Sequence, residues 1–414
     1  MTPRMRILMV ISELGYGGAE GDLLRLANYL SRTMRVTIAV MARTYDCSDY
    51  STAGSHTDLP VVILDEGHNA ARRGSLFKAL RWMRMLWRLR AMKRDHEATI
   101  SFLQGPNLLS SLAGGRATTI ISERGSKRFD FGMSKTQRLL WTRILDRIAY
   151  ARSERIVAAS NELADEIITA NPLIAVKTLS IEGSVEAERL LELADAPVDI
   201  EFSAFAEYHT VVSFGRMHLQ KGFDFLIRVF ARVRQSDPRA RLLLIGDGPR
   251  LHEYILLASE LGLRAGQEIR PDRLDVVFCG YRVDPVRFLK FGHAFAMPSR
   301  YEGLPNALIE ALAAGIPIFA ADCPWGPRSI LAGAGDAGPS VRDALPLALT
   351  HGTLMPQPDA PGSDTTWEKT LASALAQPLS RRPLEVRRAA VSPYDIEWTG
   401  PQWVELIHAV VAPS

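Results

Sequence analysis

The pattern of apolar and polar positions switches along this chain between short apolar runs and helical spacing. Residues 6–12 form an apolar run that enters a glycine-containing turn at 15–19. A helical pattern follows through 22–31, and then a second apolar run at 35–41. The same order returns at 210–214, 215–222, 223–235 and 240–245. Further runs at 60–64, 98–102, 118–122 and 155–159, and later at 276–279, 293–297 and 317–320, read as strands. Apolar strands alternating with amphipathic helices predict parallel sheets covered by helices on both faces. Two such starts predict an α/β chain of two Rossmann-like domains that face each other across a cleft.

The predicted domains span 1–190 and 205–390, with the boundary inside 170–208. A short helix at 401–411, within a tail of about 395–414, is expected to pack back onto the first domain. The stretch 332–363 is rich in Gly, Ala and Pro and shows no assignable pattern. A length of 414 residues exceeds one ordinary core, in keeping with two domains. Apolar residues make up 47% and charged residues 23%, as in a folded soluble chain. The net charge of +3 is too small for a nucleic-acid binder. Cys47, Cys279 and Cys323 are far apart and form no Cys-x-x-Cys pair. That spacing suits a reducing cytoplasm rather than a disulfide framework or a zinc site. The first residues read as a strand, not a leader, and no stretch approaches the roughly 20 apolar residues of a spanning helix.

The most specific candidate chemistry lies in RYEGLPNALIEALAA, beginning at Arg300. Glu302 and Glu310 bracket a Gly303-Leu304-Pro305-Asn306 turn that opens a helical run. Pro305 suits a first helical turn, where its missing N–H costs nothing. Glu302 is then a loop carboxylate above a helix N-terminus, whose free N–H groups attract anions. A nucleotide-sugar suits this arrangement, with diphosphate on the helix, sugar against Glu302 and ribose on Glu310. Taken alone, the segment equally suits an exposed helix with two surface glutamates.

Two strand-to-helix loops change that balance. Gly15, Gly17 and Gly18 follow the first strand and let backbone approach a ligand, although the third glycine of the dinucleotide fingerprint comes one residue late, at Gly21. In the second half Gly215 opens the matching loop, where Arg216 and Lys221 are placed to neutralise a diphosphate. Gly246-Asp247-Gly248-Pro249 reads as a turn. Backbone near Cys279, Gly280 and Tyr281 suits a base or ribose, and Arg328 sits in a rigid Pro-rich loop. The nine histidines show no triad or metal spacing.

A separate feature is the basic helix predicted over 75–93. Lys78, Arg81, Arg84 and Arg88 fall on one side of its wheel, and Leu76, Leu80, Met83 and Trp87 opposite. From Arg72 to Arg94 there are nine basic residues and no acidic one. The pattern fits an anionic membrane surface, and slightly better a helix whose apolar side covers its own sheet, because one apolar stripe cannot serve both core and bilayer.

The segments Gly17-Gly18-Ala19-Glu20, Gly215-Arg216 with Lys221-Gly222, Gly246-Asp247-Gly248-Pro249 and Glu302-Gly303-Leu304-Pro305-Asn306 with Glu310 together resemble the retaining glycosyltransferases of family 4, which have the GT-B architecture. The likeness covers most of the chain and is most specific over 211–331. Ser122-Glu123-Arg124 and the Gly326-Pro327-Arg328 loop resemble the branch that extends bacterial glycans on lipid-linked acceptors. The resemblance implies that Arg216 and Lys221 hold the donor diphosphate and that Glu302 contacts donor-sugar hydroxyls, these three forming the catalytic set. It further implies that Glu310 binds the ribose, that the Gly303 and Leu304 backbone contacts phosphate, and that Gly215, Tyr281 and Asn306 line the donor site. Gly17 and Gly18 would close it from the first domain, which would carry the acceptor. No cofactor or bound metal is expected, and the partners implied are a nucleotide-sugar and a glycan or polyprenyl-linked acceptor, met at the cytoplasmic face of the membrane. Two departures stand out. Where many relatives carry a histidine, this chain has Ser122-Glu123-Arg124, leaving Arg124 and Glu123 as acceptor candidates. The Asn-Pro turn expected before the linker is also missing, Asn171-Pro172 coming earlier.

The leading expectation is a retaining glycosyltransferase, hexosyl or N-acetylhexosaminyl, using a UDP-sugar rather than a GDP-sugar. The alternatives are a nucleotide-sugar epimerase, which needs no acceptor, and a non-catalytic nucleotide- or glycan-binding protein.

Overall fold

The computed structural model describes residues 4–15, 17–42, 58–65, 75–130, 132–183, 185–333 and 345–411. Tyr16, Cys47, Arg72, the Leu76 side chain and residues 334–344 of the Gly/Ala/Pro-rich stretch lie outside that description. The chain divides into one unit of Met1–Val185 with Tyr394–Ser414 and a second of Glu186–Pro393.

The first unit is built on seven parallel strands: β1 (Arg6–Ile11), β2 (Arg35–Ala42), β3 (Val61–Asp65), β4 (Ala98–Phe102), β5 (Thr118–Glu123), β6 (Arg155–Ala158) and β7 (Thr178–Ser180). Their order is β3-β2-β1-β4-β5-β6-β7. Parallel strands need a crossover, and these are the helices α1 (Gly18–Ser31), α2 (Ser75–Met92), α3 (Gln104–Ala113), α4 (Lys135–Leu140), α5 (Asp146–Arg152) and α6 (Asn161–Ala170). The central strands are buried along nearly their whole length, which is why they read as continuous apolar runs rather than alternating ones. β7 has only three half-buried residues, too few to show a period.

The C-terminal helix, Ile396–Val411, is longer than its sequence pattern predicted and carries Pro401 inside it. It packs beside α1 and buries Trp403 and Ile407 in the first unit's core, with the Trp403 ring 6.2 Å from that of Phe102. Apolar burial of this size outweighs the single hydrogen bond that an internal proline removes.

The second unit has eight strands: β8 (His209–Phe214), β9 (Ala240–Ile245), β10 (Ala265–Gly266), β11 (Val276–Phe278), β12 (Ala294–Met297), β13 (Ile318–Ala321), β14 (Leu347–Ala348) and β15 (Thr353–Met355). The order is β10-β11-β9-β8-β12-β13-β15-β14, parallel except for the β14–β15 edge pair. Its helices include α7 (Ala187–Asp195), α8 (Phe223–Ser236), α9 (Leu251–Glu260), α10 (Asn306–Ala314), α11 (Pro327–Ala332) and α12 (Ser363–Leu375). Phe225 and Trp367 meet edge to face between α8 and α12, with the indole N–H donating to the Pro356 carbonyl at 2.8 Å.

The first unit buries a lysine in its interior. Lys93, 1% exposed, donates to the Ser110 carbonyl at 3.0 Å and to Thr119 Oγ1 at 2.6 Å. Ser110 lies in the last turn of α3, where unpaired carbonyls favour a positive charge. Among the described residues no carboxylate pairs with it, and burial pushes the Lys93 ammonium down to about 8 from 10.5. The folded chain thus holds this proton less tightly than the unfolded chain. Between the two values the unfolded state carries more protons, and stability rises with pH through that window. Urea unfolding of wild-type protein at about pH 7.5 and about pH 9.5 should show a gain of about 1 kcal/mol or more that Lys93→Met lacks. An identical pH response in the two proteins would remove Lys93 from this role.

Candidate functional site

In an open parallel sheet, ligands bind beyond the carboxyl ends of the strands, at the point where strand order reverses. In the second unit β8 leads to β9 on one side and has β12 on the other, so the reversal lies between β8 and β12. The loops leaving these strands are 215–222 and 298–305, the two that carry Arg216, Lys221 and Glu302.

The loops touch at a point that only glycine permits. Gly222, at φ 68°, ends the first loop, and a Cβ there would lie 1.9 Å from the Pro298 carbonyl oxygen. Arg300 then ties the loops together. Its backbone N–H donates to the Gln220 carbonyl at 2.8 Å, and its guanidinium donates to the Leu219 carbonyl at 2.8 Å and to both Asp224 oxygens at 2.9 Å. Asp359 accepts from the same guanidinium at 3.0 Å. Burial works against this charge, but the bonds to Asp224 and Asp359 outweigh it and hold the group above the ordinary guanidinium range.

On that platform Lys221 Nζ lies 2.8 Å from Glu302 Oε1. The Glu302 side chain is only 6% exposed and that of Lys221 20%. Gln220 donates to the Tyr301 carbonyl at 2.9 Å and reaches Glu302 Oε2 at 3.5 Å. The backbone of Glu302 is clasped by the loop after β13: its N–H donates to the Pro324 carbonyl, and its carbonyl accepts from the Trp325 N–H at 3.2 Å. Two residues that the sequence assigns separate tasks, diphosphate and sugar, are therefore a single ion pair.

The remaining second-unit residues are distributed around that pair. Pro305 is the cap residue and Asn306 begins α10, which has no side-chain cap; Glu310 lies inside the helix. The Gly303 and Leu304 amides have no backbone acceptor among the described residues. A helix start without a side-chain cap is the kind of terminus that anion binding uses. Gly215 makes the turn out of β8, and Arg216 beside it is exposed, with no ion-pair partner among the described residues. Tyr281 follows β11, two strands away from the reversal. Arg328, in the Pro-rich loop, is paired with Asp322 at 2.5 Å. Cys323 is buried, and desolvation together with the Glu302 charge raises its thiol above the usual range. Among the described residues, no group of three or more His, Cys, Asp or Glu is placed to hold a metal ion.

The first-unit candidates have their own surroundings. Gly17 caps α1, and Glu20, buried in the first turn, brings its carboxylate against it; a Cβ on Gly17 would fall 2.1 Å from Glu20 Oε2. Gly18 is the first helical residue. Arg124 is buried in an ion pair with Asp22 and lies over the Phe102 ring at 5.1 Å. Asp22 also pairs with Arg25 at 2.8 Å. Glu123 is buried against Lys127 at 2.8 Å and accepts from Tyr150 Oη at 3.4 Å, while Lys127 also holds Asp146 at 2.6 Å. As folded, these candidate acceptor residues are bound into internal ion networks.

The basic helix departs from its predicted orientation. Arg81 turns inward to the buried Asp65 at the end of β3, and Arg88 donates to the Leu64 carbonyl at 2.9 Å. Met85 and Leu89 face the core, whereas Leu80, Met83 and Trp87, expected opposite the cations, are exposed together with Arg84. The wheel misassigned the faces because a sheet edge with a buried carboxylate and open carbonyls attracts guanidinium groups. No described helix is long and apolar enough to cross a membrane.

Residues 208–353 match the family model of group 1 glycosyl transferases. Among solved structures, Anabaena HepE in complex with UDP and glucose superposes with a TM-score of 0.72 at 18% identity, covering 98% of this chain and all of that one. The lipopolysaccharide outer core galactosyltransferase WaaB in its apo form gives 0.64 at 15% identity, covering 98% and 100%. The fold is GT-B. An uncharacterized glycosyltransferase of Methanocaldococcus jannaschii is 34% identical over 156 residues, which is 37% of this chain and 36% of that protein. A Campylobacter jejuni N-acetylgalactosaminyltransferase named for an undecaprenol-diphosphate acceptor is 22% identical over 77% of this chain and 81% of its own. The chain spans about a third of the length of the first curated relatives it matches, 36% and 33%.

No local pattern marks Arg300, Gln220 and Asp224 as the frame of the site. Arg300 and Gln220 stand beside motif residues, and Asp224 reads as an ordinary first-turn helix acid. Removing one partner of a mostly buried ion pair leaves the other charged and desolvated. Lys221→Ala should therefore lower stability by about 2–4 kcal/mol in urea unfolding, and adding Glu302→Gln should recover much of that loss. Strictly additive effects in the double-mutant cycle would show that the two residues are not coupled.

Proposed function

We propose that the chain is a retaining glycosyltransferase that moves a hexosyl or N-acetylhexosaminyl group from a UDP-sugar to a glycan or lipid-linked saccharide in bacterial surface polysaccharide or glycoconjugate assembly. The observation that carries this reading is the Lys221–Glu302 pair at the strand reversal, beside the uncapped N-terminus of α10. A diphosphate there meets Arg216, Lys221 and the loop amides, and the charge that develops on it as the sugar bond breaks is stabilised by groups already in place. Binding the donor draws Lys221 toward phosphate and frees the Glu302 carboxylate for the sugar hydroxyls. In a retaining transfer the acceptor attacks from the same face as the departing diphosphate, which takes the acceptor's proton. The match to group 1 glycosyl transferases supports the activity, and the UDP in the HepE complex supports the base. The undecaprenol-linked acceptor in the name of the Campylobacter relative supports the acceptor class.

The same reading places the protein at the cytoplasmic face of a membrane. Its contact on α2 is the exposed stripe of Leu80, Met83 and Trp87 with Arg84, in place of the basic face read from the sequence.

Thermal-shift and calorimetric titration with UDP, GDP, ADP and their sugar conjugates tests the donor assignment. UDP or a UDP-sugar should stabilise the wild-type protein selectively, and Lys221→Ala should lose that stabilisation. Glu302→Ala should lower kcat by about 100-fold or more while changing UDP affinity far less. Well-folded protein that responds to no nucleoside diphosphate would overturn the reading in favour of a non-catalytic one. Turnover of donor without any acceptor would favour the epimerase.

A further inference from the structure

The last turn of an α-helix leaves carbonyls without intrahelical partners and carries the negative end of the helix dipole. In α10 that turn contains no basic residue of its own. Its carbonyls are met instead by arginines 67 and 74 positions further along the chain. Arg381 Nε donates to the Ala314 carbonyl at 2.8 Å, and Arg387 Nη1 to the Ala313 carbonyl at 3.1 Å. The Arg382 backbone N–H donates to the Gly315 carbonyl at 2.8 Å. Gly315 ends the helix at φ 74°, and a Cβ there would lie 2.5 Å from Arg387 Cδ, so the arginine stem packs directly on the turn.

The two guanidiniums share one carboxylate. Asp195, the last residue of α7, accepts from Arg387 at 3.0 Å and pairs with Arg381 at 2.8 Å. Two cations on a single anion leave a net positive charge against the end of α10, where the dipole favours it. Arg387 is buried and belongs to α13 (Leu384–Val391), which packs with α7 against α10. Its neighbour Arg388 is of another kind. Arg388 is exposed and joins Glu188 of α7 at 2.8 Å, with no hydrogen bond to α10 among the described residues. An exposed pair of that sort adds little to stability, whereas a buried guanidinium is tolerated only with specific bonds.

We infer that Arg387 and Arg381 are positioning residues of the donor site, which cap α10 at its far end and thereby set where its N-terminus and Glu310 meet a nucleoside diphosphate. The inference rests on the donor reading for its ligand, and on the cap alone for the hold on α10. With nine residues, α10 is roughly 13 Å long, and all but its first turn and Glu310 are buried. A rod so short transmits a shift at one end to the other. No side chain caps its N-terminus, so the arginine clamp is the side-chain anchor along its axis. Glu310 stands one turn before Ala313 and Ala314, inside the stretch that the clamp steadies.

Calorimetric titration of the full chain with UDP and with uridine tests this. Arg387→Met should weaken UDP binding by about tenfold and leave uridine binding unchanged. Arg387→Lys, which restores a donor for the Ala313 carbonyl, should recover part of that loss. Arg381 is more exposed, so Arg381→Met should give a smaller loss of the same kind, and it serves if Arg387→Met does not fold. Arg388→Met is the control and should bind UDP like wild type. Amide hydrogen exchange at Leu308 and Ile309, whose acceptor is the Pro305 carbonyl, should quicken in Arg387→Met even without nucleotide. A lower melting temperature with wild-type affinities and unchanged exchange would reduce the two arginines to fold stability. An equal loss in Arg388→Met would assign the effect to the contact between α7 and α13 rather than to the cap. Wild-type protein that binds no UDP would overturn the donor reading and the ligand named here, while the exchange data still decide whether the arginines hold α10.

Discussion

The Lys221–Glu302 pair depends on a geometric condition: two loops from neighbouring strands must meet within hydrogen-bond distance at the strand reversal. Three things meet that condition. Gly222 lets backbone contact backbone, Arg300 bonds both loops and the first turn of α8, and the 323–325 loop clasps Glu302 from the far side. Each is a buried polar arrangement with its hydrogen bonds satisfied, so the frame is stiff. A mobile lysine on an exposed loop would be a diffuse charge. Held against a buried carboxylate, it is a charge of fixed position.

That arrangement also explains why the uncapped start of α10 persists beside a buried carboxylate. Free N–H groups at a helix N-terminus favour a nearby negative charge, and a side-chain cap would occupy them. Here the buried Glu302 carboxylate is neutralised by Lys221.

The first unit treats charge by a different rule. Arg124, Glu123, Lys127, Asp146 and Asp22 are folded into ion networks that hold the loops at the carboxyl ends of its strands. Arg81 and Arg88 are turned to the sheet edge. Arg84 of α2 and Arg143 between α4 and α5, by contrast, are exposed beside exposed apolar residues. Composition showed the excess of basic residues around 72–94, but only burial sorted structural cations from surface ones.

Apolar periodicity alone was enough to show the α/β class, the parallel sheets and most strands, because buried parallel strands are continuous apolar runs whatever their neighbours. Glu302 in a loop and Glu310 in a helix were equally legible, since the Gly-Leu-Pro-Asn turn and the helical spacing after it are local signals. Short edge strands such as β7, β10 and β14 were not, because two or three residues carry no period and exist only through the strand they pair with. The inward turn of Arg81, the ion pair joining Lys221 to Glu302 across 81 positions, and the role of Arg300 were likewise invisible. Each depends on which distant backbone lies within a few ångströms, a distance that packing of the whole sheet sets and that no local spacing encodes.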